Sequence, residues 1–153
     1  MAIANAEPLF IDTNTLVYAN VAESPYHAQA LNAIQTAGQA GRPLWISRQI
    51  LREYLATMTR PQAFATLPRE TVLQQVIKFV ERFKVADDTP AVTQQLLALI
   101  SNHQIGGKQV HDANIVATMQ ANSVPCLLTH NVKDFKQFGK LIKIEGIDSD
   151  VLL

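Results

Sequence analysis

The chain has a single cysteine, Cys126, and its four histidines form no H-x-x-x-H pair. That excludes an internal disulfide and the nitrogen–sulfur framework of a zinc site. Cys126 lies in the apolar stretch "VPCLLT", where it reads as a small buried hydrophobe suited to a reducing compartment. An excess of charge is also lacking, because thirteen basic and thirteen acidic residues cancel. Global attraction to a polyanion is thereby ruled out, and any nucleic-acid contact has to come from a local patch. No apolar run approaches the roughly 18 residues a membrane span requires, and "MAIANAEP" lacks the basic start and apolar middle of a signal peptide. These absences predict a cytoplasmic protein. Repeats, low-complexity tracts and interdomain linkers are missing too, so residues 1–153 read as one domain.

With 48% hydrophobic and 17% charged residues, a chain of this length can bury roughly two-thirds of its unfolded surface in one core. Short β-branched or aromatic runs alternate with longer segments of helical period, the pattern of βα units around a parallel sheet. Strands are expected at 8–11, 43–46, 83–85, 126–128 and 141–144. A helix is expected from about 25 to 37, with Ser24 as N-cap, Pro25 in its first turn and Gly38 as its stop. Thr89 and Pro90 start another helix, Ser47 caps one that Pro61 ends, and "RETVLQQVIKFVERF" and "KQVHDANIVATMQANS" supply two more. Residues 60–69 read as a connection. The whole predicts a three-layer α/β/α sandwich around a mostly parallel sheet of about five strands, a fold whose sites gather at the carboxyl ends of the strands.

Acids stand where such a site would form. Asp12 ends the apolar run "LFI", and with Thr13 and Asn14 it either caps the following helix or is held for chemistry. Asp112 shares a helix side with Ile115, Val116 and Met119, so its carboxylate lies in line with the apolar stripe. Helix dipole stabilisation of about 1 kcal/mol does not offset the several kcal/mol of an unpaired buried ion. Glu53 has the pattern of a solvated helix glutamate, yet it sits early in the helix behind the second strand. Asn131 and Asp134, after the strand at 126–128, have the spacing of a helix cap with an acid at the third position. Carboxylates converging on one rim repel each other unless a cation is present, and an oxygen-only set suits Mg²⁺ or Mn²⁺. His27 and His103 read as surface residues, and His111 and His130 as neighbours of the candidate site.

The segments "FIDTNTLVY", "ISRQILREYLATM", "VHDANIVATMQANSVPCLLTHNVKDF" and "KIEGI" together resemble the PIN domain, the metal-dependent ribonuclease fold of VapC-like toxins. The resemblance spans nearly the whole chain. It implies that Asp12, Glu53, Asp112 and the more variable Asp134 are the catalytic and metal-binding acids. It also implies supporting roles for Thr13, Asn14, Thr129 and Asn131, the last standing where many relatives carry an acid. The implied reaction is hydrolysis of RNA to 5′-phosphate and 3′-hydroxyl ends, with a divalent ion neutralising charge on the attacking and leaving oxygens. The implied partners are an RNA substrate, a small antitoxin and a second copy of the chain, with no membrane. Arg42, Arg48, Arg52, Lys108 and Lys133 lie near the site segments and either meet phosphates or are solvated. No aromatic stacking motif is visible, which assigns recognition to RNA shape or a few unstacked bases.

Two other classes fit parts of the same pattern. In a phosphotransferase of the haloacid dehalogenase kind the strand-end acid is a nucleophile paired with another acid two residues on, a place held here by Asn14. Within the PIN-like class, an RNA-processing nuclease that is not a toxin and a non-catalytic RNA- or protein-binding scaffold are the alternatives.

Overall fold

The computed structural model describes residues 6–61 and 64–148. Five strands form one sheet: β1 (Leu9–Ile11), β2 (Leu44–Ser47), β3 (Lys84–Ala86), β4 (Cys126–Thr129) and β5 (Lys143–Gly146), in the order β3-β2-β1-β4-β5. Every pairing is parallel, so the sheet is wholly rather than mostly parallel. Each strand lies within two residues of its expected position. All residues of β1 and β4 are buried, as required of central strands covered by helices on both faces.

Among the described residues six α-helices connect or follow the strands: α1 (Thr13–Asn20), α2 (His27–Gln39), α3 (Arg48–Met58), α4 (Arg69–Arg82), α5 (Pro90–Asn102) and α6 (Gln109–Ala121). A 3₁₀ helix (Val132–Phe138) links β4 to β5. Two caps are as the sequence predicts: Ser47 Oγ accepts from the Ile50 amide at 3.3 Å and Thr89 Oγ1 from the Val92 amide at 3.4 Å, with Pro90 in the first turn. The start of α2 is not. The Ser24 hydroxyl donates backwards to the carbonyls of Tyr18 and Val21, which ties it to the end of α1. Pro25 therefore lies in a turn and α2 begins only at His27. Gly38 lies inside α2, and the left-handed turn after the helix falls on Gly41, at φ +80°, a conformation that glycine adopts without a Cβ penalty.

The core gathers Phe10, Ile11, Leu16, Ile46, Tyr54, Ile115, Met119 and Leu127, none more than 2% exposed. Apolar residues of α2 and α3 are absorbed by it: Ala30, Ile34, Ile50, Tyr54 and Met58 are buried. An exposed apolar row lies instead on α4, where Leu73, Ile77 and Val80 follow the helical repeat. Cys126 is buried in β4, as expected. Among the described residues no helix is long and apolar enough to cross a membrane.

The strand order places the site. The chain moves from β1 outward to β2 and β3, then returns across the sheet to β4 and β5. Neighbouring strands β1 and β4 thus send their following segments apart, leaving a crevice beyond their carboxyl ends. Asp12 leaves β1 there and Thr129 ends β4.

Candidate active site

Asp12 is both the cap and the buried acid between which its sequence pattern could not choose. One oxygen accepts from the Thr13 amide at 2.8 Å, which starts α1. The other accepts from Thr129 Oγ1 at 2.8 Å and Asn14 Nδ2 at 3.2 Å. The side chain of Asn14 also accepts from the His130 amide, at 3.0 Å, joining the segment after β1 to the segment after β4. This occupation leaves no acid at the place a dehalogenase-type phosphotransferase needs one.

Glu53 is half-buried rather than solvated. Its Oε1 accepts from Thr13 Oγ1 at 2.7 Å and its Oε2 from Gln49 Nε2 at 2.9 Å. Asp112 lies in the first turn of α6, partly buried, with Ile115, Val116 and Met119 packed in the core behind it. A cleft of about 370 Å³ is lined by Asp12, Thr13, Asn14, Tyr18, Glu53, Phe64, Asp112 and Asn131. Asp134 stands outside that lining; it is exposed on the 3₁₀ helix and acts on Asp112 through its charge. Thr129 is fully buried and accepts from the Asn131 amide at 3.0 Å, while Asn131 precedes the 3₁₀ helix without a side-chain capping bond. The capping-box reading of Asn131 and Asp134 is therefore not realised.

The electrostatics are those of crowded carboxylates. Burial, reinforced by the charges of Glu53 and Asp112, lifts Asp12 from its ordinary 3.8 to about 6, against the lowering effect of the Thr129 and Thr13 hydrogen bonds. Asp112 rises to about 6, first through burial and then through Asp134 and Glu53. The described ion pairs, Arg42–Glu145, Arg48–Asp87, Arg52–Asp88 and Lys143–Glu7, involve none of the cleft-lining residues. A divalent cation fits this donor set, which is oxygen-only and carries more negative charge than its protein surroundings neutralise. Among the described residues no three acids, histidines or cysteines stand close enough together to hold an ion as the side chains lie, in keeping with mutual repulsion of like charges. Each Glu53 oxygen accepts one of the hydrogen bonds above and keeps a lone pair for a further ligand.

A pH dependence follows. Between about pH 4 and 6 the folded protein retains protons on Asp12 and Asp112 that the unfolded chain has released, so stability falls as the pH rises through that window. In chelator, the thermal midpoint should be lower at pH 7.5 than at pH 5, and Mn²⁺ should raise it more at pH 7.5. Equal midpoints and an equal Mn²⁺ effect at both pH values would contradict the assignment.

Other sequence expectations are redistributed. Arg42 precedes β2 at the opposite, amino end of the sheet and forms a two-pronged pair with Glu145, while Arg48 and Arg52 pair with Asp87 and Asp88. Lys108 and Lys133 are exposed. His27 and His103 are half-buried, each with Nδ1 against a carbonyl oxygen, of Tyr18 and Leu99 respectively. Sequence reasoning missed Gln49, which is buried and bridges Glu53, the His111 carbonyl and Asn114. Its available signal was the four-residue spacing from Glu53. Also missed was an aromatic cluster of Tyr18, Tyr26 and His130 beside the cleft.

Known proteins share this architecture. Ribonuclease VapC24 of Mycobacterium tuberculosis is 25% identical over 146 residues, covering 93% of this chain and 99% of that protein. Among solved structures, VapBC2 of Rickettsia felis, bound to a promoter DNA fragment, superposes with a TM-score of 0.69 at 21% identity, over 90% of this chain and 97% of that one. VapC20 of M. tuberculosis, a toxin that cleaves the sarcin–ricin loop, gives 0.60 at 16% identity, over 78% and 86%. The family model of the PIN domain matches residues 9–141, from the first residue of β1 to beyond the 3₁₀ helix after β4. With both sides of the acidic crevice inside that match, the chain belongs to the PIN domain family.

Proposed function

We propose that this chain is a metal-dependent endoribonuclease and the toxin of a toxin–antitoxin pair, acting as a single PIN-like domain over residues 1–153. The observation that carries the reading is the meeting of Asp12, Glu53 and Asp112, from three distant segments, on one cleft, with no basic side chain among the described residues of its lining to balance them. These three acids would hold Mg²⁺ or Mn²⁺ once drawn together by it, and Asp134 would add its charge beside Asp112. The bound ion supplies charge neutralisation at the scissile phosphate and activation of water. Thr129, Thr13 and Asn14 fix the Asp12 carboxylate, and Gln49 fixes Glu53, so the acids meet substrate already oriented. Water adds to phosphorus and the bond to the 3′ oxygen breaks, leaving 5′-phosphate and 3′-hydroxyl ends.

VapC24 is a ribonuclease, VapC20 is a toxin, and a toxin–antitoxin complex from Klebsiella pneumoniae shares the fold. By that likeness a small antitoxin silences the cleft and a second copy forms a homodimer, with the exposed α4 row as available apolar surface. Purified protein and end-labelled single-stranded RNA test the activity. Cleavage should require Mg²⁺ or Mn²⁺, stop on chelation and leave 5′-phosphate ends. RNA binding without cleavage under all divalent conditions would instead identify a non-catalytic scaffold. A nuclease that does not slow growth when expressed would identify an RNA-processing enzyme rather than a toxin.

A further inference from the structure

We infer that Tyr18, Tyr26 and His130 form a stacking platform for one unpaired RNA base beside the scissile phosphate. The inference rests on the nuclease reading above and adds how the substrate is gripped. Tyr26 and His130 have ring centroids 4.2 Å apart at 37°, and Tyr18 meets His130 edge-on at 5.4 Å and Tyr26 at 5.2 Å. The three rings come from the end of α1, the turn before α2 and the segment after β4. Their meeting is therefore a product of the same crevice that assembles the acids. Tyr18 lines the acidic cleft itself, which makes the cluster continuous with the site.

Hydrogen bonds hold the platform in register with the acids. The His130 amide donates to Asn14 Oδ1, and Asn14 Nδ2 donates to Asp12, so only one side chain separates the ring-bearing backbone from the carboxylate. On the other side, the Tyr18 carbonyl accepts from Ser24 Oγ at 3.0 Å and lies 2.9 Å from His27 Nδ1. Tyr26 is 36% exposed while it meets two other rings, so part of its surface remains open to a ligand. A phosphodiester centred on the acids brings a neighbouring base past Tyr18, the ring of the three that lines the cleft, and the other two rings contact Tyr18. Arg42, Arg48 and Arg52 are paired with acids, which leaves the exposed Lys108 and Lys133 as the basic residues of the site segments that face solvent. Stacking on aromatic faces adds affinity independent of phosphate contacts, and it accepts any base.

Steady-state cleavage of a short single-stranded RNA, intact or with one abasic nucleotide moved along it, tests this. One abasic position should raise KM about tenfold. Tyr26→Leu should raise KM on intact RNA by a similar factor, with kcat within about twofold, and should make the protein indifferent to that abasic position. Tyr26→Phe, which keeps the ring, should restore both. If Tyr26→Leu lowers only the thermal midpoint, or remains as sensitive to the abasic position as the parent, the rings merely pack the turn between α1 and α2. In that event the nuclease reading stands, since cleavage is intact. If the parent protein cuts no RNA, the nuclease reading fails and this inference fails with it.

Discussion

The Asp112→Asn protein should cleave RNA at least about a thousandfold more slowly than the parent and, in chelator at pH 7.5, should unfold at a higher temperature. The first effect follows if Asp112 is one of the acids that would hold the metal ion, as proposed above. About 4 kcal/mol of transition-state stabilisation corresponds to three orders of magnitude in rate, and a divalent ion supplies several kcal/mol at a phosphoryl centre. The second effect has the opposite sign for the same physical reason. Burial and the charges of Asp134 and Glu53 push Asp112 up to about 6, so at pH 7.5 its ionised form is disfavoured in the folded state relative to the unfolded one. Asparagine keeps the shape and removes that charge, and the strain relieved is what the site maintains for function. Thermal unfolding with and without Mn²⁺ beside a cleavage time course reads both. The parent should gain more from Mn²⁺ than the variant does. Retained cleavage in Asp112→Asn would remove Asp112 from the metal site.

Gln49→Ala should lower activity roughly 10- to 100-fold, the range seen when a partner of a metal ligand is lost. It should also raise the Mn²⁺ concentration that gives half-maximal cleavage. Gln49 is 5% exposed; its Nε2 donates to Glu53 and to the His111 carbonyl at 3.0 Å, and its Oε1 accepts from Asn114 Nδ2 at 2.8 Å. Since Asn114 and His111 flank Asp112 on α6, this one amide sets Glu53 on α3 relative to Asp112. Truncation leaves Glu53 held by Thr13 alone among these contacts and removes the two bonds that tie α3 to the His111 carbonyl and the Asn114 amide of α6. A purely structural role predicts a lower thermal midpoint with an unchanged Mn²⁺ response. The positioning role predicts a shifted Mn²⁺ titration, measured at a temperature where both proteins remain folded.

Much of this arrangement was legible before the structure. The runs "LFI" and "CLL" are apolar throughout, as central strands must be, and the acids that follow them stand out because carboxylates are poorly tolerated beside such segments. Asp112 was legible through its place on an apolar helix side. Helix ends were less so, because Ser24 and Gly38 suit a cap and a stop by type, while the hydroxyl of Ser24 found carbonyls of α1 instead and the left-handed turn fell on Gly41. Glu53 looked solvated because its partner on its own helical row, Gln49, is polar, and its other partner, Thr13, comes from α1, forty residues away along the chain.

Local pattern alone determined the strands, most helices and the order in which acids leave the strand ends, since periodicity and residue type act over a few neighbours. Only the tertiary structure decided which groups touch: Thr129 with Asp12, Gln49 with Glu53 and Asn114, the arginines with their acids, and Tyr18, Tyr26 and His130 with one another. Those contacts join residues up to 117 positions apart, and they exist because a parallel sheet that reverses its strand order brings the ends of β1 and β4 together. Hydrogen bonds and ring contacts act over a few ångströms of space, a quantity that separation along the chain does not encode.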